Sequence, residues 1–425
     1  MMTVPYLEGK AARHVVLIFA AAYVLSYAFR AINAVIAPTL MEDLHLSNAD
    51  LGLLTSAYFL GFASMQLPLG SWLDKYGARR TESALLLFAA AGAAIFAMSS
   101  TLTGLWIGRA MIGVGVSSCL MAPLKAYRVW YPAERQSQLG SWMLVFGTCG
   151  AITTTMPVAA VLPIISWRGV FGIMSGLILL ATALLFFRLK PIETAINAKQ
   201  LASQLQNATH HGVSPVTGYR AIFASPYFRR MALLGAIHQG GFMAMQTLWA
   251  GPWMVRVLGL SLDQTSQVLF LFNFTLLLSY LVLSWWAPRY VSFNDKPGIP
   301  VLRAVSIGLS GAVIVQALMV FYVTSWSWIL WVPFAILVTV TTLAQMHVSL
   351  AFPPQQAGRA NSAFNLTLFI GAFSIQWGIG LLIDVFVMHG WSQSDAMRLS
   401  WALYVLLQLA ALIIFVKSRA ESLTS

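Results

Sequence analysis

Charge is what this chain has least of. Only 9% of its 425 residues are charged, against 59% hydrophobic, where an ordinary soluble domain has about 25% charged and 45–50% apolar residues. That excludes a water-soluble globule. Cysteine is nearly absent as well. Cys119 and Cys149 have neither metal-ligand spacing nor the pattern of a disulfide framework, and read as small packing residues inside apolar segments. No group of His, Cys, Asp and Glu has the spacing of a metal site. The G-x-x-x-x-G-K-[ST] phosphate loop is missing, which excludes ATP hydrolysis by this chain. The longest polar stretch, Arg188 to about Arg229, is too short to house a catalytic domain. Enzymatic classes fall away, and no cofactor is expected.

Long apolar runs fill the chain instead. A helix crosses the hydrocarbon core with about 20 mostly apolar residues. Twelve such spans occur, at about 14–38, 50–71, 81–99, 103–127, 137–163, 168–187, 230–254, 264–287, 301–323, 327–350, 361–386 and 397–416. The first is too long for a signal-peptide core and reads as an uncleaved helix. The expected organisation is a short cytoplasmic N-terminus (1–13), a six-helix bundle (14–187), a cytoplasmic linker (188–229), a second six-helix bundle (230–416) and a cytoplasmic C-terminus (417–425). With both termini inside, 19 of the 25 basic residues fall in inner segments or, for Arg230 and Arg303, at the inner ends of spans, and only Arg168, Arg256 and Arg398 in outer loops. That asymmetry sets the orientation and accounts for the net charge of +12. The charges are dispersed over loops on one face, so a nucleic-acid surface is not expected. The partners expected are membrane lipids and a small molecule, and the chain is expected to act as a monomer in the plasma membrane, the inner membrane in a bacterium.

The loop between spans 2 and 3 reads GSWLDKYGARR, Gly70 to Arg80, with Asp74, Lys75, Arg79 and Arg80 packed into seven residues. Gly70 and Gly77 suit a tight turn. Span 4 carries Arg109-Ala-Met-Ile-Gly113-Val-Gly115. The segment Gly70–Arg80 resembles the signature loop of the major facilitator superfamily, roughly G-x-L-x-D-[RK]-x-G-[RK]-[RK], with Leu73 one position late. The span 4 stretch is similar to that family's R-x-x-x-G-x-G pattern. The antiporter run GPxxGG on span 5 is missing, and Gly147 and Gly150 only echo it. The resemblance implies an all-α membrane fold of twelve transmembrane helices in two pseudo-symmetric bundles that rock about a central cavity. It also implies that the loop locks the bundles on the cytoplasmic side. Gly70, Asp74, Lys75, Gly77, Arg79, Arg80, Arg109 and Gly113 are therefore gating candidates. A carboxylate such as Asp74 suits a helix N-terminus, and the arginine pair suits carbonyls or lipid headgroups. The corresponding loop after span 8, SWWAPRYVSFNDKPG, has lost the Asp.

Arg30 lies about sixteen residues into span 1, too deep to leave the membrane easily, so it should face a wet cavity or a partner. Tyr23, Tyr27, Arg30 and Asn33 follow helical spacing and share one face. Two phenols, a guanidinium and an amide suit an anion, since the planar guanidinium grips a carboxylate or phosphate with two parallel bonds. The stretch YVLSYAFRAINAVIAPTL also resembles the first helix of the organophosphate:phosphate antiporters and the anion:cation symporters, where an arginine contacts the substrate. Span 7 lacks the second arginine of the phosphate exchangers, which favours a carboxylate. Lys125 on span 4 stands between two readings, substrate path and interfacial anchor. Gln239, Gln246 and Trp249 or Trp253 on span 7, Asn273 and Tyr280 on span 8, and Asn365 and Gln376 on span 11 are further candidates for the cavity wall; each also suits interhelical packing.

Acidic residues fall in loops or at span ends, and only Asp384 is expected inside a span. With no carboxylate at the midplane, His238 on span 7 and His347 on span 10 are the candidate proton relays. The function expected is secondary transport of a small organic anion, a carboxylate or amino-acid-like metabolite, by symport rather than exchange. The alternatives are efflux of a lipophilic drug or siderophore and, from another class, a transporter-like solute sensor.

Overall fold

The computed structural model describes Leu7 and residues 9–206, 219–292, 298–324 and 326–421. The extreme termini and the middle of the expected linker lie outside the described residues. Among the described residues, nine helices are long and apolar enough to cross a bilayer. The remaining three expected spans are helical but differ for physical reasons. Asn48–Ser64 has only 17 residues. Ala133–Thr153 opens on the polar run AERQSQ. Span 7 is interrupted: π-helical turns at Gly235–Gly240 and Met245–Trp249 alternate with the α-helical pieces Pro226–Leu234, Gly241–Ala244 and Ala250–Arg256.

The other interruptions follow a pattern. Span 1 divides into Gly9–Ala31 and Asn33–Leu44, span 4 into Leu102–Val116 and Met121–Trp130, and span 10 into Trp331–Val338 and Thr341–Leu350. Every third span, counting from the first, is among those broken within its length. That periodicity is expected of internal structural repeats, whose discontinuous helices surround the binding site. Span 5 is broken too, at Thr154 and Thr155, and its tail from Met156 turns at Ser166 (φ 56°) into span 6, which runs past its expected end into the linker as far as Gln206.

Helices 9–206 form the N half and 219–421 the C half. Leu7 N–H donates to Trp130 O at 2.9 Å, so the end of span 4 lies at the end of the molecule that carries the termini. The described hydrogen bonds between halves gather at the opposite, far end. The helix Asn48–Ser64 starts there, its N-cap Ser47 in a capping box with Asp50. Its next free donors are taken by Asp384 of the C half. Asn48 N donates to Oδ1 at 3.1 Å, Asn48 Nδ2 to the same oxygen at 2.8 Å, and Ala49 N to Oδ2 at 2.7 Å. A carboxylate thus closes the positive end of a helix across the half boundary. Arg256 Nη1 adds a bond to Asn48 Oδ1 at 2.6 Å. Deeper in, Gln376 Nε2 donates to Thr55 Oγ1 at 2.7 Å, and Phe369 packs on Phe62 with ring centroids 4.2 Å apart. Asp384, expected inside span 11, is therefore a half-to-half latch.

Within the N half, spans 2 and 4 touch backbone to backbone. A Cβ on Gly113 would lie 2.0 Å from Tyr58 O, so only glycine fits. Gly113→Ala is expected to lower the apparent melting temperature in detergent by about 3 °C or more, an overpacking cost of roughly 1–3 kcal/mol. Gly172→Ala, where a Cβ would meet nothing within 4 Å, should leave it unchanged. Asp384→Asn keeps the shape but removes the charge from the latch, and each charge-assisted bond is worth about 1.5–3 kcal/mol. Spin labels at the exposed far-end positions Glu42 and Leu262 should report a broader, longer distance distribution in Asp384→Asn than in wild type.

Candidate functional site

Between the halves lies a cavity of about 190 Å³. Tyr23, Tyr27 and Arg30 of span 1 form part of one wall, together with Ser117, Leu120 and Met121 from the break in span 4. The facing wall carries Gln239 and Gln246 from the π-helical turns of span 7, Thr341, Thr342 and Gln345 beside the break in span 10, and Tyr280 and Asn365. No acidic residue lines it among the described residues. Polar lining thus comes largely from the broken helices, where backbone irregularity lets side chains aim inward.

Arg30 is the cation of this cavity. Its Cζ stands 4.6 Å from the ring centre of Tyr27, 5.8 Å from Tyr58, and 5.6 Å from both Phe62 and Phe369. Four rings around one guanidinium stabilise its charge without neutralising it. Among the described residues no carboxylate pairs with Arg30, and its Nε has no hydrogen-bond partner. The helical turn just before Arg30 is pinned. Tyr58 Oη donates to Ser26 O at 3.5 Å, and Arg109 Nη2 donates to Phe29 O at 2.8 Å. Arg109 is fully buried, its Cζ 5.4 Å from the Tyr58 ring. It sits behind Arg30 and holds the carbonyl next to it.

The C half contributes amides. Gln239 Nε2 donates to Gln345 Oε1 at 3.4 Å, and Gln345 Nε2 donates to Asn365 Oδ1 at 2.9 Å and Asn361 Oδ1 at 3.4 Å. Gln246 Nε2 donates to Asn273 Oδ1 at 2.9 Å, and Asn273 donates in turn to Leu269 O at 2.8 Å. Asn273 therefore orients a wall residue from behind. One wall is cationic and aromatic, and the other is neutral with both donors and acceptors.

Several expected cavity residues lie elsewhere. Lys125 is paired with Asp74 at the terminus-bearing end and does not line the cavity. Asn33 lies beyond the break in span 1 and is buried. Trp249 is buried, its Nε1 donating to Gln376 O at 3.0 Å, and Trp253 packs on Trp401 at 4.4 Å. Gln376 bridges Thr247 and Thr55, below the cavity. The π-turns rotate successive span 7 side chains away from a regular helical stripe, so equal spacing did not mean a shared face. His238 is buried against Gln408 O at 3.0 Å, and His347 meets Tyr227 Oη at 2.5 Å. Neither lines the cavity.

Sequence reading passed over Gln345, Gln66, Thr148 and the paired phenylalanines Phe62 and Phe369. The signal for Gln345 was an amide two positions before His347 in an otherwise apolar span. The phenylalanines carry none, since their role depends on a contact across the halves.

The loop Gly70–Arg80 is not a simple hairpin. Pro68 starts a helix that continues to Met98, interrupted only at Gly77 with φ 79°. Gly77 meets the turn expectation. Gly70 is helical, with open space around it. The charges of the loop bond within the N half. Asp74 meets Lys125 rather than a helix N-terminus, and Arg79 is buried, its Nε donating to Glu193 Oε2 at 2.5 Å and its Nη1 to Phe186 O at 3.3 Å. Lys75 stands over Tyr76, and Arg80 is exposed. The acidic residue Glu82, expected at a span end, is fully buried.

Known proteins share this fold and parts of this sequence. The chain is 25% identical over 260 residues to a probable sulfoacetate transporter of Cupriavidus necator, covering 59% of each. It is 27% identical over 261 residues to the hexuronate transporter of Escherichia coli strain K12, covering 57% of each. The aligned region thus spans less than two thirds of these relatives. An inward-facing, occupied bacterial homologue of the human lysosomal transporter Spinster superposes with a TM-score of 0.74 at 15% identity, over 97% of this chain and 98% of that one. A D-xylose–proton symporter gives 0.73 at 15% identity, over 95% and 97%. These two likenesses speak for the fold alone. A sequence profile of the Major Facilitator Superfamily matches residues 19–376, most of the chain, and the broken helices, signature loop and two-half architecture agree: this protein belongs to the Major Facilitator Superfamily.

Proposed function

We propose that the chain is a secondary transporter for a small hydroxylated carboxylate, of the size and chemistry of a sugar acid. One observation carries this reading. Arg30 presents a permanent charge, with no carboxylate partner among the described residues, to a cavity whose opposite wall carries the amides Gln239, Gln246, Gln345 and Asn365. A carboxylate would pair with the guanidinium, and hydroxyls, which both donate and accept, would meet Gln239, Gln345 and Asn365. A volume of about 190 Å³ lies below the roughly 300–1,000 Å³ of pockets for drug-sized ligands, which favours a single small metabolite over a bulky lipophile. The aromatic rings that suggested a lipophile cluster round Arg30. Relatives named for hexuronate, galacturonate and L-galactonate transport support the sugar-acid reading.

Alternating access follows from the same geometry. With the terminus-bearing end cytoplasmic, as the basic loops require, the far-end latch closes the outside and the structure is the inward-facing state. The loop Gly70–Arg80 is then a disengaged inner gate, its Asp74 held by Lys125 within its own half. Outward opening requires Asp384 to leave Asn48 and Ala49.

Uptake into proteoliposomes tests the assignment. Arg30→Ala should reduce kcat/KM for D-glucuronate about 100-fold, as loss of a charge-assisted pair does, and Arg30→Lys should recover part of it. Gln345→Ala should cost about tenfold for D-glucuronate and little for sulfoacetate, which has no hydroxyls to lose. Wild-type kinetics in both arginine variants would overturn the reading. Equal losses on the two substrates in Gln345→Ala would remove the sugar-acid refinement while leaving the anion site.

A further inference from the structure

Gln239 reaches the cavity from the first π-helical turn of span 7, Gly235–Gly240. Such turns are rare beside α-helix, so the surrounding structure has to hold this one. Two glycines let neighbouring helices come up to it. A Cβ on Gly240 would lie 2.6 Å from Leu368 O of span 11, and one on Gly241 would lie 1.9 Å from Tyr404 Oη of span 12.

That Tyr404 hydroxyl is the end of a buried hydrogen-bond chain. Gln316 Nε2 of span 9 donates to Gln408 Oε1 at 2.8 Å, Gln408 Nε2 to Tyr404 Oη at 2.7 Å, and Tyr404 Oη to Ile237 O at 3.0 Å. Ile237 O lies inside the π turn and also accepts from the Gly241 N–H. The three side-chain bonds run donor to acceptor in one direction, an order in which each polarises the next. His238 is held on the same side. Its partner, Gln408 O, is a carbonyl and only accepts, so His238 Nε2 donates to it at 3.0 Å. Ile237 and His238 are thus tied to span 12, one by backbone and one by side chain. Gln239, the next residue, is left facing Gln345.

Stability alone is a poor reason for this chain. Gln316, Tyr404 and Gln408 are each at most 4% exposed, and Gln316 Oε1 has no hydrogen-bond partner among the described residues. A buried network with an unsatisfied member does worse for stability than an apolar core. None of the three side chains lines the cavity. We infer that Tyr404, backed by Gln408 and Gln316, is a positioning residue for recognition: its hydroxyl holds the π turn so that Gln239 meets the hydroxyls of the cargo. Without that bond the turn can relax to α geometry. One residue of re-registration turns a side chain by about 100° about the helix axis, enough to take Gln239 off the wall. The role in recognition rests on the sugar-acid reading; the hold on the turn does not.

Tyr404→Phe removes the hydroxyl and keeps the ring. Hydrogen exchange in segment 235–249, read by mass spectrometry on the protein in detergent, should be about tenfold faster than in the wild type, one lost hydrogen bond expressed as local opening. Exchange equal to the wild type's refutes the hold on the turn, whatever the cargo. In proteoliposomes the variant should raise KM for D-glucuronate about tenfold, leave kcat nearly unchanged, and spare sulfoacetate, which has no hydroxyls. In a Gln239→Ala background the same substitution should add little, since both changes remove one shared interaction. A merely structural tyrosine would weaken both substrates alike and would cost the same with or without Gln239; either result overturns the positioning role. Gln408→Met takes away the donor behind Tyr404 and should give the same pattern, smaller, which keeps the test open where Tyr404→Phe does not fold. A wild type that takes up neither anion overturns the transport reading and the role in recognition, while the exchange rates still decide the hold on the turn.

Discussion

The Arg30 guanidinium lies among the faces of Tyr27, Tyr58, Phe62 and Phe369, and a permanent charge at that depth must be met by water or by an anion. Much of the molecule follows from that requirement. The aromatic cage lowers the cost of the charge without cancelling it. Arg109 and Tyr58 hold the carbonyls of Phe29 and Ser26 in the turn before it, so the cation is held by its backbone as well as by its rings. A cavity must open beside it, and the helices around that cavity cannot all be regular.

The breaks in spans 1, 4, 7 and 10 answer that need. Irregular backbone within a membrane is tolerated where it lines a cavity or is buried in protein, and these four spans border the site. Spans 2 and 11 have the opposite task. They carry the latch at Asn48, Ala49 and Asp384 and the ring contact at Phe62 and Phe369. Closure is thus carried by spans 2 and 11, which also reach the cavity through Phe62, Asn365 and Phe369. The Phe369 ring therefore lies both beside Arg30 and on the seam between the halves.

Hydropathy made the spans legible, and helical spacing placed Tyr23, Tyr27 and Arg30 on one wall. These are local properties, visible wherever a helix stays regular. Trp249 and Gln376 were misplaced because π-helical turns reset the angular register of span 7 and because Gln376 packs onto the opposite half. Lys125 was ambiguous in sequence because a long flexible amine reaches either way, and only the position of Asp74 decides. Glu82 was read as a span end since it lies near the loop. Its burial depends on how tightly spans 3 and 4 approach through Gly92 and Gly115, a property of the pair rather than of either sequence. The latch at Asp384 is equally invisible in one dimension, as its partners lie over 330 residues away.

The buried Arg79–Glu193 pair ties the start of the linker to the N half. The helix that follows Ser166 continues through this pair to Gln206, so the first part of the linker extends the N half. The connection to Tyr219 is then made by the twelve residues 207–218. Thirteen peptide steps, even fully extended, reach no more than about 45 Å. The two halves are thus leashed on the side of the termini, with a maximum separation fixed by chain length. Lengthening that leash, or cutting it, would relax a geometric bound without touching the cavity or the latch.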